Sequence, residues 1–238
     1  MKAVRERQRR FRFLSRAAFL FPTALIALAC GLPNVPYLYP PAEFDVGNTS
    51  IKITSNQENY QASEGSDQSY LGMEIYYHVF DSTTAANAKV AQIVSLSATY
   101  EKSPASFIKA ITGASHRFQR LRNSTNNSAP LIPIANPAVA SSFYVNPSRS
   151  TSWNMTDEDL VEISTIVRNI SNRVLGDLDF KAMDFLSGDD DYTGVSSPGT
   201  IYIVLFGISF GKDPESIGVA LYSIPNIDQD IIEYTPAG

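Results

Sequence analysis

Few residues in this 238-residue chain are equipped for chemistry: one cysteine, Cys30, and two histidines, His78 and His116. The most pointed motif is Gly207-Ile208-Ser209-Phe210-Gly211. It matches the G-x-S-x-G elbow, which exposes a serine nucleophile where a strand turns into a helix. That chemistry needs an aspartate and then a histidine further along, so that the imidazole can take the serine proton. No histidine follows His116, and Pro214 and Gly218 break the segment where the elbow's helix would begin. The match therefore reads as a strand with small residues.

Asp189, Asp190 and Asp191 stand in a row beside Gly188. Hard cations such as calcium take carboxylates converging from alternate positions, as in D-x-D-x-D-G. Adjacent aspartates point apart, so the run reads as a solvated loop, with a calcium site the weaker alternative. Two histidines are too few for a His-rich zinc site, although two histidines and a carboxylate would suffice in principle. There is no Walker loop, no G-x-G-x-x-G and no H-E-x-x-H, so no cofactor is implied. Paired Asp/Glu acids of the glycosidase kind depend on a spacing in three dimensions that the sequence does not display.

Cys30 is the residue with the clearest assignment. Seven basic residues and one acid, Glu6, fill positions 1–16, and the apolar run Ala17 to Cys30 (AAFLFPTALIALAC) follows. A basic segment, a short apolar segment and small residues at the cut define a secretory signal peptide, here 1–29. The run is short for a membrane span, which takes about 20 apolar residues. Ala27-Leu28-Ala29-Cys30 resembles a bacterial lipobox, in which cleavage before the cysteine is coupled to acylation of its thiol by palmitate-like chains. Its departure is Ala27, where such boxes usually carry leucine. With the one thiol so used, no disulfide, Cys-bound metal or Cys nucleophile is left. From Cys30 onward 12 basic residues face 23 acidic ones, a formal charge of −11. Such a body repels phosphate backbones, which argues against a nucleic-acid partner.

The elements that position these residues are mostly strands. Pro33, Pro36, Pro40 and Pro41 read as an extended tether over 30–43, and the folded domain is expected over 44–238. Ile51 and Ile53 alternate with Lys52 and Thr54 in a short strand, and Asn56 to Ser69 is polar and reads as a long loop. Tyr70 to Phe80 (YLGMEIYYHVF) reads as a central strand. Ala86, Val90, Ile93 and Val94 then recur at helical spacing, and a second helix opens on Ser103-Pro104 and closes near Gly113. A helical insertion over about 83–113 follows. His116 to Arg122 (HRFQRLR) alternates; it reads as a solvated strand face before a docking patch for an acidic partner. The prolines of APLIPIANP suit an edge strand or crossing loop. Residues 156–176 fit both helical and strand spacing, and the β-branched density of VEISTIV favours a strand. Thr200 to Phe210 is the most apolar strand, with SSFYV, SIGVALY and DIIEY as further candidates.

Taken together, the lipobox cysteine, GMEIYYHVFDS ending at Ser82, the Ala/Ser-rich helical insertion, PLIPI from Pro130, SGDDDYTG and IYIVLFGISFGKDPE running to ALYSIP resemble spirochaetal, chiefly treponemal, lipoproteins of unknown function. The resemblance spans nearly all of the chain beyond Cys30 and implies an immunoglobulin- or fibronectin-III-like antiparallel β-sandwich. It carries over no catalytic or binding residue. The function expected is a non-catalytic envelope lipoprotein, held in the inner or outer membrane by acylated Cys30, which presents a structural or binding surface to a protein or host ligand. The rival expectation is a periplasmic hydrolase or carbohydrate-active domain working through Asp/Glu pairs.

Overall fold

Two long strands form the spine, β3 (Tyr70–Phe80) and β11 (Ile201–Lys212), both dense in β-branched and aromatic residues that suit a pleated surface. They pair antiparallel from Tyr202↔Phe80 to Gly211↔Tyr70, with a register shift between Phe210 and Gly211. The computed structural model describes residues 37–47, 50–63, 70–124, 130–134, 140–147, 152–170, 179–181, 184–213 and 218–235. The signal segment 1–29, Cys30 and the tether as far as Pro36 lie outside them, as do residues 171–178.

The other strands, in chain order, are β1 (Glu43–Val46), β2 (Ile51–Thr54), β4 (Gln119–Arg120), β5 (Arg122–Asn123), β6 (Ile132–Pro133), β7 (Ser142–Asn146), β8 (Trp153–Thr156), β9 (Glu162–Val167), β10 (Tyr192–Thr193), β12 (Ala220–Tyr222) and β13 (Ile232–Tyr234). One sheet runs β1-β2-β7-β8-β9-β5, antiparallel throughout. The other is built on the spine: β4, β6 and β10 line β3, and β12 and β13 line β11. Among the described residues its one parallel contact is β10 beside β3, Tyr192↔Val79. The fold is the mainly β sandwich with a helical insertion that the sequence predicts, and the segment after Thr156 is a strand, β9.

Alternation decides what each face of the spine sheet covers. Met73, Ile75, Tyr77 and Val79 of β3, with Ile201, Ile203 and Leu205 of β11, pack against Phe44, Ile51, Ile53, Val145, Trp153, Met155 and Ile166 of the facing sheet. Tyr76, Phe80, Val204, Phe206 and Ile208 point the other way and bury the helices. Helix α2 (Thr83–Thr99) contributes Ala86, Val90 and Ile93, and α3 (Pro104–Thr112) contributes Phe107, Ile108 and Ile111. A nine-residue helix is marginal alone, and three such side chains, at about 1.5–3 kcal/mol each on full burial, fix α3 in place. Ser82 caps α2, its hydroxyl accepting from the Ala85 amide at 3.4 Å.

Three expectations need correction. The polar stretch after Asn56 contains helix α1 (Gln57–Ser63). Asn56 is its N-cap, with its side-chain oxygen accepting from the Glu58 amide at 3.0 Å. The helix lacks an apolar stripe and docks through Tyr60, which meets Tyr70 edge to face at 5.2 Å. Residues 37–43 do not hang free as tether: Leu38 is buried, and Asn56 and Asn226 donate to the carbonyls of Pro40 and Pro41. The basic alternation after His116 is not a solvated face either, because Arg120 pairs with buried Glu74 at 2.7 Å and Arg117 turns inward.

Candidate functional site

Chemistry-bearing side chains gather at the end of the sandwich where β3, β9 and the loop 184–195 meet. Arg168 follows the last residue of β9, and the strand's alternation sends its side chain into a place with no exposure at all. Its Nε and Nη2 reach the two carboxylate oxygens of Asp191 at 2.9 and 2.6 Å, a side-on bidentate pair. Nη2 also reaches Asp189 Oδ2 at 3.0 Å, Nη1 donates to the Asp184 carbonyl, and the guanidinium carbon lies 3.9 Å over the Phe185 ring. Tyr77, from the interior face of β3, donates to Asp191 Oδ2 at 2.6 Å and accepts from the Asn169 amide at 2.9 Å. Leu186 N–H donates to Asp189 Oδ2 at 3.0 Å.

A second arginine stands beside this cluster. Arg117 Nη2 donates to the carbonyls of Asp189 and Tyr192, the latter at 3.2 Å. Burial pulls the Arg168 pKa down, but the hydrogen bonds and charge of Asp191 outweigh it and raise it overall. Burial, then the Asp191 charge, push the Tyr77 phenol well above its ordinary value. Arg168 therefore stays a cation and Tyr77 a neutral donor.

The aspartate run expected as a solvated loop is thus an internal anchor. Asp189 and Asp191 are 3% and 0% exposed, while Asp190 between them is half-buried. The same alternation that separates adjacent aspartates puts the first and third on one side, and the cation they converge on is Arg168 rather than calcium. Among the described residues no group of three or more His, Cys, Asp or Glu side chains is placed to hold a metal. Arg168 is the residue that sequence reasoning missed. Its signal was a lone arginine directly after the β-branched run VEISTIV.

His78 lies on the other face of β3, toward the helices, between the rings of Phe80 and Phe118. Nδ1 is 2.9 Å from the Arg117 carbonyl and Nε2 is 2.9 Å from Thr193 Oγ1. A carbonyl only accepts, so the neutral ring carries its proton on Nδ1 and accepts from Thr193 at Nε2. Burial, together with the charges of Arg117 and Lys89, lowers its pKa to about 4. His116 stands apart, 3.3 Å from Lys89 Nζ.

Ser209 sits inside β11, fully buried, and the strand continues through Gly207 and Gly211 rather than turning into a helix. Its hydroxyl accepts from Asn59 Nδ2 at 3.1 Å, and its amide donates to Ser223 Oγ at 2.9 Å. Asn59 also clasps Tyr39, accepting from its amide at 2.8 Å and donating to its carbonyl at 2.9 Å. Gly207 is small for a packing reason: a Cβ there would lie 2.7 Å from Phe44 Cδ2 and 2.9 Å from Ile53 Cδ1. The elbow motif is a place where side chains of the facing sheet, Phe44 and Ile53, pack directly against a glycine of the spine.

The fold and these clusters define a two-sheet sandwich with internally paired polar groups. Comparisons with known protein families, curated proteins and solved structures find no match to this chain. No helix of the described residues is long and apolar enough to cross a membrane.

Proposed function

We propose that this chain is a membrane-anchored envelope lipoprotein of the spirochaetal kind, acting as a non-catalytic binding or structural module. The anchor is acylated Cys30, and its support is the sequence Ala17 to Cys30, with a basic segment before it and an acidic body after it. Two or more acyl chains, at about 0.8 kcal/mol per buried methylene, hold such a body on a bilayer durably.

The observation that carries the non-catalytic half is the internal pairing of the reactive side chains. Arg168 takes up Asp189 and Asp191, the Arg117 carbonyl and Thr193 take up His78, and Asn59 takes up Ser209. Each is buried and occupied by a partner from the same chain. A catalytic group needs substrate within hydrogen-bond reach. These groups are spent on holding loops and strands together.

Growing an expressing bacterium on an alkyne-tagged fatty acid tests the anchor. Label is expected on the wild-type protein in the membrane fraction and absent from Cys30→Ala. Equal labelling of the two proteins would remove the proposal.

A further inference from the structure

The turn from β8 to β9 and the start of β9 carry three large aliphatic side chains in the open: Leu160 is 74% exposed, Val161 58% and Ile163 46%. Most apolar side chains of the sandwich fill two cores, and exposed ones such as Val94, Val195 and Val219 stand singly in the sequence, whereas three within four residues mark a contact surface. The tip is ordered in advance. Asp157 accepts from the amides of Asp159 and Val161 at 3.0 and 2.9 Å, and its own amide donates to the Val161 carbonyl at 3.2 Å. Leu160 sits at φ 60°, a left-handed conformation that costs a leucine about 1–2 kcal/mol.

Charge says what the surface fits. Asp157, Glu158, Asp159 and Glu162 lie within six residues, and none takes part in the ion pairs of the described residues. Beside them, β8 occupies one edge of β9, and on the other β5 pairs with Ile166 and Val167 while the Ser124 amide donates to the Thr165 carbonyl at 3.1 Å. A second copy of the chain would bring four carboxylates against four, and an anionic bilayer would repel them as well.

We infer that the β8–β9 hairpin is a docking ridge for an extended polypeptide segment in which lysine or arginine alternates with aliphatic side chains. Such a segment lays its aliphatic side chains on Leu160, Val161 and Ile163 and offers its cations to Asp159 and Glu162. The inference rests on the binding-module half of the proposed function and is independent of Cys30.

Fluorescence anisotropy of the full chain with a short labelled peptide alternating lysine and valine is the test. Binding at least about tenfold tighter than to a lysine/serine or a glutamate/valine peptide is expected, because apolar contact and charge are both needed. Leu160→Ser/Val161→Ser/Ile163→Ser and Asp159→Asn/Glu162→Gln should each weaken it at least fivefold, while Asp45→Asn should leave it unchanged. The second variant alters only exposed side chains, so it keeps the test decisive if the first fails to fold. Equal binding of the lysine/valine and lysine/serine peptides, or wild-type binding by the acid variant, overturns the ridge. So does dimerisation through the ridge in sedimentation, which would make the occupant a second copy. Wild-type binding that survives both ridge variants discards the ridge and keeps the binding module.

Discussion

The guanidinium of Arg168 grips both carboxylate oxygens of Asp191, Nη2 to Oδ1 at 2.6 Å and Nε to Oδ2 at 2.9 Å, with both side chains shut off from solvent. The pair ties the end of β9 to the loop that leads into β10, and Val79 of the spine donates to the Asp191 carbonyl at 2.9 Å. Removing one member strands a buried charge, which typically costs about 3–5 kcal/mol. Arg168→Met and Asp191→Asn should therefore each lower the unfolding free energy by about that much in urea titration. Asp190→Asn, at the half-buried middle position, should cost less than about 1 kcal/mol. Equal losses at Asp190 and Asp191 would contradict the anchoring role.

His78 makes stability depend on pH in a defined window. Its folded pKa is about 4 against 6.5 unfolded, so between these values the unfolded chain binds the proton and the folded chain does not. The stability it contributes is complete above pH 6.5 and is lost as pH falls toward 4, a total of about 3 kcal/mol. Urea titrations of wild type and His78→Gln at several pH values across that window isolate the effect. The difference between the two proteins should change with this slope and level off below pH 4. A difference independent of pH would place the charged imidazole in the folded state.

Gly207 predicts a packing defect rather than a lost activity. Gly207→Ala puts a methyl against Phe44 and Ile53 at under 3 Å, so the sheets must separate, at about 1–3 kcal/mol. Gly199→Ala meets nothing within 4 Å and should be close to neutral. Thermal melts of the two variants give the comparison, and a neutral Gly207→Ala would overturn the close-approach reading of the G-x-S-x-G match.

Asn59 predicts a local release. Asn59→Ala removes the two bonds to Tyr39 and the one to Ser209, leaving buried groups unmet at about 1–3 kcal/mol. Limited proteolysis should then cut between residues 37 and 43 faster than in wild type, while Ser209→Ala alone, losing one bond, should change the cutting little. Unchanged cutting in Asn59→Ala would mean that Leu38 and the Pro41 contact hold the segment unaided.

Much of the sandwich is legible in the sequence because alternation and β-branched density act locally. Tyr70 to Phe80, Thr200 to Phe210 and the helices after Ser82 and Ser103 stand where those signals put them. Helix α1 was hidden because its sequence, QENYQAS, has no apolar stripe to betray it; Asn56 as a cap was the available sign. The site was less legible for a different reason. Arg168 and Asp191 are 23 residues apart, and nothing local records that a buried arginine will meet alternate aspartates. His78 shows the same limit: its partners, Arg117 and Thr193, come from distant segments, so a histidine on a strand says nothing of its pKa until the loops close over it.

The measurement that bears most directly on the account is the intact mass of the protein purified from the membranes of an expressing bacterium, with Cys30→Ala as control. A chain that begins at Cys30 and carries acyl mass on that residue is the predicted result, with no acylated species from the control. A chain that retains its arginine-rich segment, or one cut elsewhere with an unmodified Cys30 thiol, would contradict it.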